Sequence, residues 1–127
     1  TTIFNNQKIK TKLEKYIHNY LRTERKNFIK KNKEKKEKII FLDIPLLFEN
    51  RLEKFLDETI CIISTKKNRL KRTEKNKKFT KKIFNKILQF QKKDKERRLL
   101  ADHIINNNGT KKEFILKAKK IIEEVLR

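Results

Sequence analysis

The sequence predicts an α/β fold built on a parallel sheet, and three observations point there. Short, uniformly apolar runs at "KIIFLD" (38–43) and "TICII" (59–63), with a weaker one at "DHIIN" (102–106), suit strands buried on both faces, as parallel sheets require. Helical apolar spacing lies between them, which gives a strand, helix, strand rhythm with right-handed crossovers. The chain has 127 residues, one Gly and one Pro, so it has the length of a single domain and neither a repeat nor a Pro- or Gly-rich linker.

Each element has its own reason. Ile9, Leu13, Tyr16, Ile17, Tyr20, Leu21 and Phe28 recur at three- and four-residue steps, predicting helix, as one or two segments, over roughly residues 6–36. "KKNKEKKEK" follows with no apolar side chain and reads as a solvated helix end or loop. Ser64 or Thr65 can cap a helix through "KKNRLKR", and Thr80 can cap "KKIFNKILQFQ", where Ile83, Ile87, Leu88 and Phe90 fall near one face. Gly109 closes the loop after the third predicted strand. Thr110 with Glu113 three residues later forms a capping-box pattern, and Phe114, Ile115, Ala118, Ile121, Ile122 and Val125 line one side of a last helix.

Composition bounds the class. Leu, Ile, Val and Phe supply 40 of 127 residues, above the roughly 20% below which chains cannot bury a core, so the chain is expected to fold. The formal charge of +21 attracts polyanions in general, whether nucleic acid, anionic membrane or nucleotide phosphate. Lys makes up 29 of the 37 basic residues beside abundant Asn, Ile and Phe, a drift expected of an A+T-rich genome. The lone Cys61 has no disulfide partner and no second thiol for a metal site, which suits a reducing, cytoplasmic setting. No stretch reaches the 18 or so apolar residues of a spanning helix. The chain opens Thr-Thr rather than Met, an indication that a segment lies upstream.

Chemistry concentrates around "FLDIPLLFEN". An apolar strand ending in Asp43 and stopped at once by Pro45 delivers an acid to the carboxyl edge of a parallel sheet, where ligands of open α/β sheets bind. An apolar strand ending in Asp is also the form of the second nucleotide-site motif of P-loop proteins, whose acid holds Mg²⁺ directly or through water.

"LEKYIH", "LDIPLLFEN", "RLKRT", "ILQFQ" and "LADHIINNNGT", in this order and at these separations, resemble the dephospho-coenzyme A kinase family over about residues 9–111. The Pro-Leu-Leu-Phe-Glu and Ala-Asp…Asn-Asn-Gly segments are the most specific parts. The resemblance implies ATP-dependent phosphorylation of the ribose 3′-hydroxyl of dephospho-coenzyme A, with Mg²⁺. It implies a P-loop kinase fold with a parallel sheet, here incomplete, with three strands in residues 1–127: a helical substrate side at about 6–36 and a lid with following helices at about 66–100.

The same resemblance implies site residues. Arg72 is the phosphate candidate, since a guanidinium offers phosphate oxygens a planar fork that Lys cannot copy, and Arg97 matches a second basic position. Asn108 and Gly109 match a loop beside the adenine ring, Asp43 a place near Mg²⁺-bound water, and His18, Pro45 and Glu49 the substrate side. Glu49 can instead fix the Pro45 loop by accepting backbone N–H bonds.

Three departures stand out. With one Gly, the sequence contains no Gly-x-x-x-x-Gly-Lys-Ser/Thr loop, and the family's expected base shortly after it is likewise absent, so no catalytic residue is assigned and this chain alone is expected to be inactive. Asn19 follows His18 where the family has Pro. Asn76 occupies the place of a second lid Arg.

Two other readings compete. A basic nucleic-acid-binding module is motivated by a pI near 10.2 and by the Lys runs at 30–38 and 75–82, although no finger, ribbon or RNA-binding signature accompanies them. An inactive kinase remnant is the third. His18 and His103 have no Cys or carboxylate at metal-ligand spacing, so a zinc site is not expected.

Overall fold

The computed structural model of the chain describes residues 6–127, which divide into two compact units, one up to Leu42 and one over Asp43–Arg127. The first holds one long helix, α1 (Gln7–Glu34). The Asn6 side chain caps its start by accepting from the N–H groups of Lys8 and Ile9, and a Lys10–Glu14 pair at 3.9 Å supports the first turns. At the far end the Glu37 N–H reaches the Asn32 carbonyl at 3.1 Å and the Lys36 N–H the Lys33 carbonyl at 2.9 Å. This is a Schellman ending, with Lys36 in the left-handed position at φ 57°. The helix runs unbroken through His18 and Asn19, and no residue in it is buried.

The second unit carries the sheet. After a 3-10 turn at Glu53–Phe55 come β1 (Ile60–Ile63), α2 (Lys66–Glu74), α3 (Lys81–Phe90), α4 (Asp94–Leu100), β2 (His103–Asn106) and α5 (Lys111–Val125). β1 and β2 pair in parallel, with Ile60 opposite His103 and Ile63 opposite Asn106. Period-two alternation turns Cys61 and Ile63 to one face, where they bury with Phe48 beside Leu47, Ala101 and Ile104. Ile105, one residue on from Ile104, faces the other way and is 2% exposed. α4 packs on β1 and α5 on β2, with Ile121 of α5 also buried.

One expectation fails. "KIIFLD" is not a strand: the sheet of the described residues has two strands rather than three, and residues 39–44 make no ladder. A β-strand is defined by a neighbour's N–H and C=O groups, and among the described residues none pairs with this segment. Phe41 is accordingly 56% exposed, and on β1 the side chain of Ile62 is 50% exposed. The apolar run here buys no burial of the kind its composition suggests.

The helix starts follow the expected caps. Thr65, Thr80 and Thr110 each accept from the backbone N–H three residues on, and Thr110 with Glu113 forms the full capping box. The packed stripe of α3 differs from the expected one. Phe84 is its buried residue at 7% exposure, while Phe90 is 73% exposed, because the face that meets α2 runs through Phe84 and Leu88 at an i, i+4 step. On α5, Ile115 stays 40% exposed beside the better-covered Phe114, Ala118 and Ile121.

Candidate functional site

Parallel strands end together, so whatever follows them shares one edge. The ladder closes with the Asn107 N–H on the Ile63 carbonyl at 2.7 Å, which sets the turn after β2 against the turn after β1. Asn108 then reaches across. Its Oδ1 accepts from the Ser64 hydroxyl at 3.0 Å, the Thr65 N–H at 2.9 Å and the Asn68 side-chain amide at 3.3 Å. Thr65 caps α2, and Asn68 and Arg72 follow on the helix face it starts, one and two turns on. Arg72 Nη1 accordingly folds back to donate to Ser64 Oγ at 3.4 Å.

This edge is open and positive. Ser64 is half-buried, and Thr65, Arg72, Asn108 and Gly109 are exposed. The amino end of α2 presents its helix dipole together with Lys66 and Lys67, and its first turn contains no acid. Arg72 also stands at an open cleft of about 320 Å³ between α2 and α3, lined by Arg69, Thr73, Phe79, Phe84 and Leu88. Apolar walls with two guanidinium groups suit a ligand with one flat or apolar part and one anionic part.

Gly109 has no positive φ, so its backbone is one that any residue could adopt. A Cβ there would overlap only the end of the flexible Glu113 side chain, whose carboxylate accepts the Thr110 N–H at 3.1 Å to start α5 and would have to move.

The basic residue that reaches the end of β2 is Arg98 rather than Arg97. Arg98 donates to Asn106 Oδ1 at 3.1 Å, and Lys117 Nζ reaches the Asn106 carbonyl at 3.0 Å. Arg97 turns inward to a short ion pair with Asp94, whose carboxylate also lies 3.8 Å from Arg69. The Nε atoms of both arginines are buried without an acceptor. Burial pushes the Cys61 thiol up, with Arg97 opposing the shift. Arg98 is adjacent to Arg97 in sequence, so spacing does not separate the two, and Ser64, Asn68 and Asp94 carry no local signal of their long-range contacts.

The remaining candidates scatter. Glu49 accepts the Lys92 N–H at 2.8 Å and ties the turn that Pro45 opens to the start of α4. Leu46 and Arg51 in that turn hold φ of 54° and 53°. Asp43 is an exposed single carboxylate, and among the described residues no group of three His, Cys, Asp or Glu side chains could hold a metal ion. His18 lies exposed in the middle of α1. No helix of the described residues is long and apolar enough to cross a membrane.

A parallel strand pair with polar groups gathered at its carboxyl edge is the α/β arrangement that binds ligands at that edge. The same fold occurs in the Thermus thermophilus protein TT1252, which superposes with a TM-score of 0.81 over 99% of this chain and 64% of its own at 22% identity. A dephospho-CoA kinase structure from Campylobacter jejuni gives a TM-score of 0.67 at 28% identity over 97% of this chain and 61% of its own. The family model for dephospho-CoA kinase matches residues 1–113, and this chain belongs to that family. Dephospho-CoA kinases of Fusobacterium nucleatum and Bartonella quintana are 34% and 33% identical, over 91% and 98% of this chain. The chain spans 60% and 64% of the length of these two relatives.

Proposed function

We propose that the chain supplies the nucleotide-side edge of a dephospho-CoA kinase, in which ATP phosphorylates the ribose 3′-hydroxyl of dephospho-CoA in the cytoplasm. The observation that carries this reading is the meeting of Arg72, Ser64 and Asn108 at the shared carboxyl end of β1 and β2. Phosphoryl transfer asks a protein mainly for positioning and for positive charge along the phosphates. Arg72, with the amino end of α2 behind it, is suited to the phosphates, and Asn108 and Gly109 to one wall of the base site. Arg98 and Lys117 add charge beside them; Arg97, paired with Asp94, contributes field rather than contact. His18, Pro45 and Glu49 belong to the acceptor side, with Glu49 holding the turn in shape.

Magnesium accompanies ATP in this reading. Asp43 alone makes no metal site, so the ion would be held chiefly by phosphate oxygens, with Asp43 reaching at most its bound water. The 127 residues contain no glycine-rich phosphate loop, so no turnover is expected from them alone.

Calorimetric titration of the chain with MgATP tests the reading. Saturable binding that weakens at least tenfold in Arg72→Ala supports it. Heat that is the same for ATP, tripolyphosphate and random DNA, and that collapses together with salt, would instead mark general polyanion attraction by the +21 charge.

A further inference from the structure

We propose that Asn108 acts as a positioning residue, whose side-chain oxygen sets the place of Arg72 through Ser64, rather than as an acceptor for the ligand. The Thr65 N–H can only donate, so the Asn108 atom facing it is the amide oxygen. That oxygen has two lone pairs and three donors within 3.3 Å: the Ser64 hydroxyl, the Thr65 N–H and the Asn68 amide. No acceptor capacity is left for an amino group of a base. The single Ser64 proton goes to Asn108, so the Ser64 lone pairs are what face Arg72 Nη1, which has only protons to offer. The four groups form one chain of donors ending on Asn108. The turn after β2 thereby fixes the first turn of α2 and the direction of its guanidinium.

The hydrogen-bond chain itself is read from geometry; only its consequence for nucleotide affinity rests on the proposed function. A carboxylate can accept all three donors, whereas a methyl group can accept none, and this separates the roles. In nitrogen-15 NMR of the 127-residue chain without nucleotide, Asn108→Ala is expected to speed exchange of the Thr65 amide at least tenfold, and Asn108→Asp to keep it near wild type. Unchanged Thr65 exchange in Asn108→Ala, or Asn108→Asp behaving like Asn108→Ala, would overturn the proposal. Ser64→Ala removes the Ser64 bonds to Asn108 and Arg72 but not the Thr65 bond, and should alter the Arg72 Nη signals while leaving Thr65 protected; Arg72 signals indifferent to Ser64→Ala count against it. With MgATP, Ser64→Ala should weaken binding less than Arg72→Ala does and should add no further loss once Arg72 is already Ala, and additive losses argue against positioning through Ser64. A wild-type chain that takes up no MgATP defeats the nucleotide-edge reading instead, and the exchange measurements still decide the hydrogen-bond chain.

Discussion

Thr59 and Asp102 fasten the amino ends of the two strands to each other through three hydrogen bonds. Asp102 Oδ2 accepts from the Thr59 N–H at 2.8 Å and from its hydroxyl at 2.6 Å, and the Asp102 N–H returns a bond to Thr59 Oγ1 at 3.0 Å. Thr59 is buried, 4% exposed, and its hydroxyl both donates to and accepts from Asp102. The pair lies at the opposite end of the strands from Asn108, so it holds the sheet together without entering the candidate site.

The Thr59 hydroxyl is the largest cause holding the Asp102 carboxyl below its usual range, with the Thr59 N–H assisting. A carboxylate depressed by folding adds stability above its unfolded value, about pH 4, and that stability fades as pH falls through the lower folded value. Thr59→Val should therefore lower the urea midpoint most at neutral pH, with the gap to wild type narrowing below about pH 4. A gap of constant size across the acid range would show that the ionised form of Asp102 is not what the bonds favour.

Asp94 stands between two guanidinium groups, Arg97 in a short pair and Arg69 at 3.8 Å, with side-chain exposures of 17% and 27%. Removing it leaves two partly covered cations facing each other. Asp94→Ala is expected to cost between the roughly 1 kcal/mol of an exposed pair and the roughly 3 kcal/mol of a buried one. Chemical denaturation at low and high salt checks this, since added salt should recover part of the loss.

Gly109→Ala should weaken the start of α5 without straining the backbone. The added methyl displaces the Glu113 carboxylate from the Thr110 N–H, a cap loss of about 1 kcal/mol. The smaller unfolded-state freedom of Ala offsets this by about 0.4–1 kcal/mol, leaving a net cost below about 0.6 kcal/mol. Glu113→Ala removes the same bond in advance, so the two changes together should cost little more than either alone. Thermal melts of the single and double variants would reveal an additive loss if the glycine mattered for another reason.

Lys36 closes α1 in a conformation that costs a residue with a Cβ about 1–2 kcal/mol. Lys36→Gly should stabilise the helix by about 0.5–1 kcal/mol once the larger unfolded-state freedom of Gly is subtracted. Circular dichroism of the full chain would register more helix and a later melt; a loss of helix would mean that the Lys side chain contributes more than its backbone costs.

What could be read from residues alone follows the range of the forces involved. The caps at Thr65, Thr80 and Thr110 and the period of α1 depend on groups three or four positions apart, so the residues themselves contain the answer. "TICII" and "DHIIN" were legible as strands because each has a run of β-branched residues, and they found each other. "KIIFLD" has the same composition, yet no ladder forms, since composition reports a readiness to pair and not the presence of a neighbour.

By itself the sequence determined the family motifs, the helix starts, the two strands that pair and the positive character of the chain. Only the tertiary structure decided that Arg98 and not Arg97 reaches the end of β2, that Phe84 rather than Phe90 is covered, and that Asp102 binds Thr59. The reason is physical: those outcomes depend on which distant backbone lies within about 3 Å of a donor. Neighbours along the chain cannot encode that distance, whereas two parallel strands ending in register fix it for every group that follows them.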